Sequence, residues 1–323
     1  MSGGIAIGAD LGGTKMLVGA VDASSKVLSE STEKTLGRTA DEILDTLEVE
    51  LREALAVAPG AVAVGLGIPA TIDRRRGFAI SAVNLPMIEI PVRDLIAHRI
   101  GIPTFVDNDA NCAALAEHRF GAGRGTRNMV LLTIGTGIGG GLVLEGELYR
   151  GSTGAAAELG HVVIDQDGPP CQGNCPNRGC VEALASGTAL GREGRAAAEG
   201  HPDSALGRLL AAGTEIDGRA VTDVALEGDA VARDVVALIG RRLGVALSSL
   251  ANIFEPDTFV IGGGVMRLGE LLLEPARAEL RARALLPQNE TPVVAAGLGP
   301  EAGMIGAARM ALEEAHRVAE EIH

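Results

Sequence analysis

Two short glycine-rich segments, each between two apolar runs, are the features that most restrict the fold of this chain. They are residues 10–15, DLGGTK, and residues 135–140, GTGIGG. The four flanking runs have the composition of β-strands and cover residues 5–9, 16–21, 129–134 and 142–144. Each glycine segment therefore predicts the tip of a β-hairpin. The two tips occupy comparable places in two similar halves of the chain.

Between and after these hairpins, predicted strands alternate with predicted helices. Thr39 and Glu42 form a capping box ahead of residues 43–55, whose apolar residues keep helical spacing. Further helices are predicted at 92–99, 110–120, 231–253 and 304–322, and further strands at 61–66, 103–106, 258–261 and 293–295. Such alternation is typical of α/β proteins. The length of 323 residues exceeds one ordinary core, so two domains are expected.

Charge and aromatic content exclude several kinds of partner. The formal net charge of −14 disfavours nucleic acid, which such a chain repels. With no Trp, one Tyr and five Phe, the composition excludes aromatic stacking platforms for sugars or single-stranded nucleic acid, so any sugar would have to be held by hydrogen bonds. No signal segment is visible, and the uncharged stretch 54–72 is interrupted by prolines and glycines. These features predict a cytoplasmic protein without a membrane span.

The glycine segments have a chemical interpretation and a plainer one. Gly135, Gly137 and Gly140 match G-x-G-x-x-G, but a dinucleotide-binding motif needs a helix next, and here a hairpin follows. A Walker A loop is absent as well. Glycines let backbone N–H groups approach phosphate oxygens, and Thr14 and Thr136 add hydroxyl donors. Both segments could instead be simple tight turns, but their pairing, together with the glycines at 262–264, favours phosphate binding.

A histidine and three cysteines suggest a metal site. His161, Cys171, Cys175 and Cys180 offer three thiolates and an imidazole, a set that suits tetrahedral structural zinc. The alternative is free or buried cysteines, but the residues between them are too polar for a core. Cys112 lies on an Ala/Leu helix face and is predicted to be a small buried residue.

The acidic triplet Asp107-Asn108-Asp109 ends a predicted strand and starts a predicted helix. In one interpretation Asp109 is a helix N-cap and Asp107 a solvated edge residue. In the other, a carboxylate at this position acts as a general base that accepts the proton of a substrate hydroxyl.

Taken in order along the chain, six motifs resemble the ROK (repressor, ORF, kinase) family, in particular its members that phosphorylate glucose with ATP. The motifs are GADLGGTK, VDNDANCAALAE, LLTIGTGIGGG, AAAELGH, the cysteine cluster with GCVE, and VIGGGV. The resemblance implies an α/β, actin-like/hexokinase-type fold of two RNase-H-like domains with an interdomain cleft. It implies a smaller domain of residues 1–110 plus 305–323 and a larger one of residues 111–304.

The resemblance also implies roles for individual residues. Asp109 matches the catalytic base. The sugar contacts implied are Asn84, Asn108, Asp109, Glu158, His161 and Glu182. The nucleotide and Mg²⁺ contacts implied are Asp10, Gly12, Gly13, Thr14, Lys15, Thr136, Gly137, Gly263 and Gly264. The structural Zn²⁺ ligands implied are His161, Cys171, Cys175 and Cys180.

Three departures from the family pattern affect these expectations. Met87-Ile88 stands where many members have Gly-Trp, Ala70 replaces a glycine, and Cys171 lies two residues further upstream than the usual C-x-C spacing.

The expected reaction is transfer of phosphate from ATP to the 6-hydroxyl of a hexose, above all glucose, by a homodimer or homotetramer. The alternatives are a kinase for N-acetylmannosamine, mannose or fructose, polyphosphate as donor, and a sugar-responsive regulator. Only nine residues precede Asp10, which disfavours a DNA-binding regulator.

Overall fold

The structure is a computed structural model that describes residues 4–82 and 85–321. The strands are β1 Ile5–Leu11, β2 Lys15–Asp22, β3 Val27–Lys34, β4 Ala61–Ile68, β5 Ala70–Asp73, β6 Phe78–Ala82, β7 Ile88–Ile90, β8 Thr104–Asn108, β9 Met129–Ile134, β10 Ile138–Leu144, β11 Glu147–Tyr149, β12 Thr258–Gly262 and β13 Val293–Ala295. The α-helices are α1 Ala40–Val57, α2 Val92–Ile100, α3 Asp109–Phe120, α4 Val181–Ala185, α5 Gly187–Gly200, α6 Ala205–Ala211, α7 Gly218–Glu227, α8 Ala230–Phe254, α9 Glu270–Arg283 and α10 Ala302–Glu321. Short 3₁₀ turns cover Leu159–His161, Gly264–Leu268, Gln288–Glu290 and Gly299–Glu301.

Three sheets organise these strands. The first has the order β3-β2-β1-β4-β8, the second β11-β10-β9-β12-β13, and the third is the small sheet β5-β6-β7. The chain forms two compact units. Unit 1 is Met1–Gly125, Gly141–Ala157 and Gly297–His323, and unit 2 is Thr126–Gly140 and Glu158–Ala296.

Unit 1 is built on the first sheet. Its central strand β1 pairs antiparallel with β2 and parallel with β4, and β4 pairs parallel with β8. Helix α10 lies so close to this sheet that a Cβ at Gly8 would come within 2.0 Å of the Met304 carbonyl oxygen. A Cβ at Gly65 would come within 1.8 Å of the Ala307 carbonyl oxygen. Glycine is therefore required at both positions for the helix to pack on the strands.

Unit 2 contains the parallel strands β9, β12 and β13, together with the long helix α8. By length and composition alone α8 could cross a membrane, but 56% of its most apolar stretch is buried within the protein. Its buried side chains, among them Val236, Ile239 and Leu243, make it a core helix of this unit.

Both predicted hairpins are confirmed. In the first, Leu11 pairs with Met16 at the end of the β1–β2 ladder, and the tip between them closes with a hydrogen bond from Gly12 N to Lys15 O of 2.8 Å. The second tip lies between β9 and β10, which are hydrogen-bonded neighbours in the second sheet. The predicted capping box is also present, since Thr39 and Glu42 exchange their side-chain and backbone hydrogen bonds at the start of α1.

The sequence did not predict every element. Strands β3 and β5–β7 and helices α4–α7 were not predicted. The glycines at 262–264 predict a further helix, and the structure has a 3₁₀ turn at Gly264–Leu268 followed by α9. The two units also differ from the domain division expected at residue 110, because α3 packs along α10 and β4 and therefore groups with unit 1. The domain boundaries of the resemblance remain a prediction.

Candidate active site

The backbone of the first glycine loop is fixed by hydrogen bonds from Thr35, and the side chains at its tip are exposed to solvent. Thr35 donates its side-chain hydroxyl to the Gly12 carbonyl at 2.6 Å and its backbone N–H to the Thr14 carbonyl at 3.0 Å. The side chains of Thr14 and Lys15 are exposed at the tip. The loop therefore has a fixed backbone with a hydroxyl and an ammonium group facing solvent, as a phosphate-binding loop requires.

Asp10 lies at the end of β1, beside the first turn of α10. A Cβ on Gly303 would stand 2.3 Å from Asp10 Oδ2, so only glycine leaves room for the carboxylate. The pKa of Asp10 is raised to about 7, mainly because the carboxyl group is buried and secondly because Asp109 carries a like charge, while the charge of Lys15 lowers it. The two aspartates thus repel each other in a desolvated place where a bound cation would stabilise both charges.

Asn108 caps helix α3. Its side-chain oxygen accepts hydrogen bonds from the backbone N–H groups of Ala110 at 2.9 Å and Asn111 at 3.3 Å. Its amide nitrogen donates to the Ala70 carbonyl at 3.4 Å. The interpretation of Asp109 as the cap is therefore wrong. Asp109 is the half-buried first residue of α3, one position inside the helix.

Asp107 is fully buried, so the interpretation of this residue as a solvated edge is also wrong. Its Oδ2 accepts a hydrogen bond from Arg150 Nε at 2.5 Å and faces Arg74 Nε at 3.6 Å. Its Oδ1 accepts hydrogen bonds from the Asn108 backbone N–H and the Asn111 side chain, both at 2.9 Å. Burying a carboxylate is tolerable here because two guanidinium groups and two N–H donors replace its water.

The expected sugar residue Asn84 lies outside the described residues. Two of its neighbours that depart from the family pattern are described. Met87 is fully buried, whereas Ile88 is 73% exposed. The buried methionine belongs to the core cluster of unit 1.

The second glycine loop is held by several hydrogen bonds within unit 2. Gly135 N donates to the Gly137 carbonyl at 2.9 Å, and Gly187 N donates to the Gly135 carbonyl at 2.8 Å. The Thr136 carbonyl accepts from Thr188 Oγ1 at 2.9 Å and from Gln172 Nε2 at 3.3 Å. The side chain of Thr136 remains exposed.

The four predicted metal ligands come together. One ligand atom from each of His161, Cys171, Cys175 and Cys180 lies within 4.8 Å of the others. The Cys175 and Cys180 sulfurs are 3.9 Å apart, and His161 Nδ1 is 3.5 Å from the Cys171 sulfur. In tetrahedral zinc the corresponding separations are about 3.8 Å between two sulfurs and about 3.6 Å between sulfur and nitrogen. The donor set and its spacing therefore fit Zn²⁺, and Cys171 joins the set despite its shifted position in the sequence.

The pKa values of the Cys171 and Cys180 thiols depend on their crowded and at least partly buried position in this cluster. Burial raises the pKa of Cys171, and the neighbouring thiols and Glu182 raise it further. The pKa of Cys180 is raised for the same first reason, and this side chain is fully buried. Without a metal these raised pKa values favour the protonated thiols. A bound divalent cation would reverse this preference, because it stabilises the thiolates.

Glu182 connects this cluster with the second glycine loop. Its Oε2 accepts a hydrogen bond from the backbone N–H of Ile138 at 2.8 Å, while Oε1 lies 3.7 Å from the Cys171 sulfur. A Cβ on Gly137 would stand 2.3 Å from Oε2, so glycine is needed there. The sequence motifs gave no sign of this link, because its donor is a backbone group 44 residues away.

The segment Glu158–His161 lies next to the start of strand β10, where Ile138 is the first residue. A Cβ on Gly160 would approach the Ile138 carbonyl to 2.2 Å, which explains the glycine of ELGH. Glu158 is exposed as a residue, yet the protein around its carboxyl group partly desolvates it and raises its pKa. The charge of His161 lowers that pKa, and the charge of Glu182 raises it.

A third glycine segment follows β12. Gly263 has φ of +90°, and a Cβ there would lie 2.3 Å from the Ile134 carbonyl oxygen. Gly264 has open space around its Cα and begins the 3₁₀ turn 264–268. Both glycines are exposed and leave the backbone accessible to a flat ligand.

The described candidate residues thus form two sets, one in each unit. The set in unit 1 is Asp10, Gly12, Gly13, Thr14, Lys15, Asn108 and Asp109. The set in unit 2 is Thr136, Gly137, Glu158, His161, Cys171, Cys175, Cys180, Glu182, Gly263 and Gly264. Sequence reasoning missed the side chains that hold these sets in place, because the motifs give them no role. They are Thr35, Arg150, Gln172 and Thr188.

Comparison with known proteins agrees with this picture. The model of the ROK family matches residues 6–314. The chain is 38% identical over 316 residues to the glucokinase of Streptomyces coelicolor, covering 96% of this chain and 98% of that protein. It is 39% identical over 312 residues to the glucokinase of Thermotoga maritima, covering 95% and 97%.

A solved structure of a family member resembles this chain in both sequence and fold. The ROK family glucokinase from Streptomyces griseus, in complex with glucose and AMPPNP, superimposes with a TM-score of 0.84 at 37% identity, covering 96% of this chain and 100% of that one. This similarity confirms the expected α/β fold of the actin-like/hexokinase type. Because the family model spans nearly the whole sequence and relatives above 30% identity are matched almost end to end, this chain belongs to the ROK family.

Proposed function

We propose that this protein is an ATP-dependent glucokinase, which transfers the γ-phosphoryl group of ATP to the 6-hydroxyl of glucose. One observation carries the proposal: its similarity to glucokinases runs over 96% of the chain and 98% of theirs.

In this proposal the residues of unit 1 position and activate the acceptor. Asp109 orients the sugar hydroxyl and accepts its proton, which is the main contribution of a side chain in phosphoryl transfer. Asn108 and Asn84 bind neighbouring hydroxyls. The side-chain oxygen of Asn108 caps α3 and one amide N–H donates to the Ala70 carbonyl, so the second amide N–H is the group that would donate to the sugar.

The phosphates of the donor are bound by backbone and side-chain donors of both glycine loops. In unit 1 these groups belong to Gly12, Gly13, Thr14 and Lys15, and Asp10 holds Mg²⁺ through water. In unit 2 they belong to Thr136 and Gly137, while Gly263 and Gly264 face the nucleoside. Mg²⁺, when bound, would neutralise part of the negative charge of the phosphates, including the charge that develops during phosphoryl transfer.

The remaining sugar contacts come from Glu158, His161 and Glu182 in unit 2. A carboxylate oxygen accepts hydrogen bonds from sugar hydroxyls, which suits vicinal hydroxyls in a site without aromatic rings. His161 binds zinc through one ring nitrogen and presents the other to the sugar. Zinc has four protein ligands in this assignment, so its contribution is to hold the loop and not to activate a substrate.

The proposed setting follows from the same observations. The partners are a small-molecule sugar and a nucleotide, and the net charge of −14 supports the absence of nucleic acid as a partner. A cytoplasmic location, no association with membranes and a homodimer or homotetramer are part of the proposal.

The test is a coupled assay of the purified protein across several sugars and phosphate donors. Glucose, mannose, fructose and N-acetylmannosamine are each combined with ATP or polyphosphate, with and without Mg²⁺. We expect the highest kcat/KM for glucose with ATP, and no turnover without Mg²⁺. Preference for N-acetylmannosamine would overturn the glucokinase assignment, and absence of turnover with every pair would favour a regulatory protein that binds sugar.

A further inference from the structure

We propose that Gln172 and Thr188 are positioning residues for the nucleotide, because they fix the peptide unit between Thr136 and Gly137 in the second glycine loop. This inference rests on the proposed function, in which Gly137 donates its backbone N–H to a phosphate. Gln172 lies within the cysteine cluster and Thr188 lies outside all six motifs, and the family resemblance assigns neither residue a role.

The contacts converge on one carbonyl group. Gln172 Nε2 donates to the Thr136 carbonyl oxygen at 3.3 Å and to Ser186 Oγ at 3.2 Å. Thr188 Oγ1 donates to the same carbonyl at 2.9 Å. Two donors from different segments therefore hold the Thr136 carbonyl on one side of the loop.

Peptide planarity turns this contact into an orientation of the neighbouring donor. The Thr136 carbonyl and the Gly137 N–H belong to one planar trans peptide, so they point in opposite directions. Fixing the carbonyl toward Gln172 and Thr188 therefore aims the Gly137 N–H away from them. Glycine at position 137 is free to rotate unless such contacts hold it, and an N–H fixed in advance binds a phosphate without an ordering cost.

The next peptide unit is fixed by an independent contact. Glu182 Oε2 accepts the backbone N–H of Ile138 at 2.8 Å, and Gly135 N donates to the Gly137 carbonyl at 2.9 Å. Both peptide units that flank Gly137 are thus restrained. Gln172 directly follows Cys171, so a metal ion held by the four proposed ligands would also anchor the backbone from which this donor extends.

The experiment measures binding of MgADP by calorimetry to the full-length, zinc-containing protein. Gln172→Ala and Thr188→Val each remove one donor, and the double variant leaves the Thr136 carbonyl without either. Thr188→Ser keeps the hydroxyl. Asn174→Ala changes an exposed residue of the same loop and serves as the matched control. Binding of glucose and zinc content are measured on the same samples.

We expect each single loss to weaken MgADP binding about 3- to 10-fold and the double variant to weaken it about 10- to 100-fold. Glucose affinity and zinc content should stay within about two-fold, and both control variants should bind MgADP like the original protein. The KM for ATP should rise with the dissociation constant of MgADP.

Unchanged MgADP binding in the double variant would overturn the inference, as would equal weakening by Asn174→Ala. Failure of the unmodified protein to bind MgADP would instead contradict the proposed function. The two failures are therefore distinguishable.

Discussion

Arg150 and the fully buried Asp107 form an ion pair of 2.5 Å between Nε and Oδ2. The other oxygen of Asp107 accepts the backbone N–H of Asn108 and the side-chain amide of Asn111, so the carboxylate is bound on both sides. Asn108 and Asn111 stand before and after Asp109 in the chain. The ion pair therefore supports the backbone from which the proposed catalytic base extends.

Replacing Arg150 by Met should destabilise the protein, because it leaves the Asp107 charge buried with only Arg74 nearby. Removal of one partner of a buried ion pair costs roughly 3 kcal/mol in free energy of unfolding. We also expect a lower kcat at an almost unchanged KM for sugar. Urea unfolding and steady-state kinetics measure the two effects.

The control for this prediction is the double variant Asp107→Asn/Arg150→Met. It removes the uncompensated charge but keeps an oxygen for the Asn108 N–H, so it should be more stable than Arg150→Met alone. Additive losses from the two substitutions would show that the pair makes no coupled contribution.

Asp109→Asn should leave the fold and sugar binding largely intact but lower kcat by about 10²- to 10⁴-fold, since a positioned base contributes that much. Turnover at saturating glucose and ATP is compared with the original protein, and a thermal melt confirms folding. Near-normal turnover by the folded variant would remove Asp109 from the role of base.

Asn108 carries two functions that substitution can separate. Serine retains a capping oxygen, so Asn108→Ser should unfold at nearly the same denaturant concentration as the original protein, whereas Asn108→Ala should lose about 1 kcal/mol. Both variants lose the amide N–H, so both should raise the KM for glucose about equally. A normal KM in Asn108→Ser would show that the residue only caps α3.

The purified protein should contain about one zinc ion per chain, held by three thiolates and one imidazole. Cys180→Ser should lose the metal and bind sugar more weakly, because Glu182 is two residues away. Cys112→Ala is the control, since this cysteine is buried outside the metal cluster. Elemental analysis measures the content, and a metal-free protein prepared with zinc present would contradict the assignment.

Sequence reasoning succeeded where the signal was local. The hairpin tips at Gly12 and Gly137 are marked by glycines between strand-forming residues, and the start of α1 by the Thr39–Glu42 capping box. Helix α8 is marked by a long run of apolar residues. In each case the residues that determine the element are neighbours in the chain.

Sequence reasoning failed where partners are distant. The burial of Asp107 depends on Arg150, 43 positions further on, and nothing near Asp107 predicts it. Gln172 reads as a polar loop residue, yet it contacts the Thr136 carbonyl 36 positions earlier. A backbone acceptor leaves no trace in the sequence, because every residue has one.

The central claim is the transfer of phosphate from ATP to the 6-hydroxyl of glucose, and the identity of the product tests it most directly. The purified protein is incubated with glucose, ATP and Mg²⁺, and the product is examined by phosphorus and proton NMR. The account predicts glucose 6-phosphate, recognised by coupling of the phosphorus to the two protons on carbon 6. A phosphate on another hydroxyl, or release of inorganic phosphate with unmodified glucose, would contradict it.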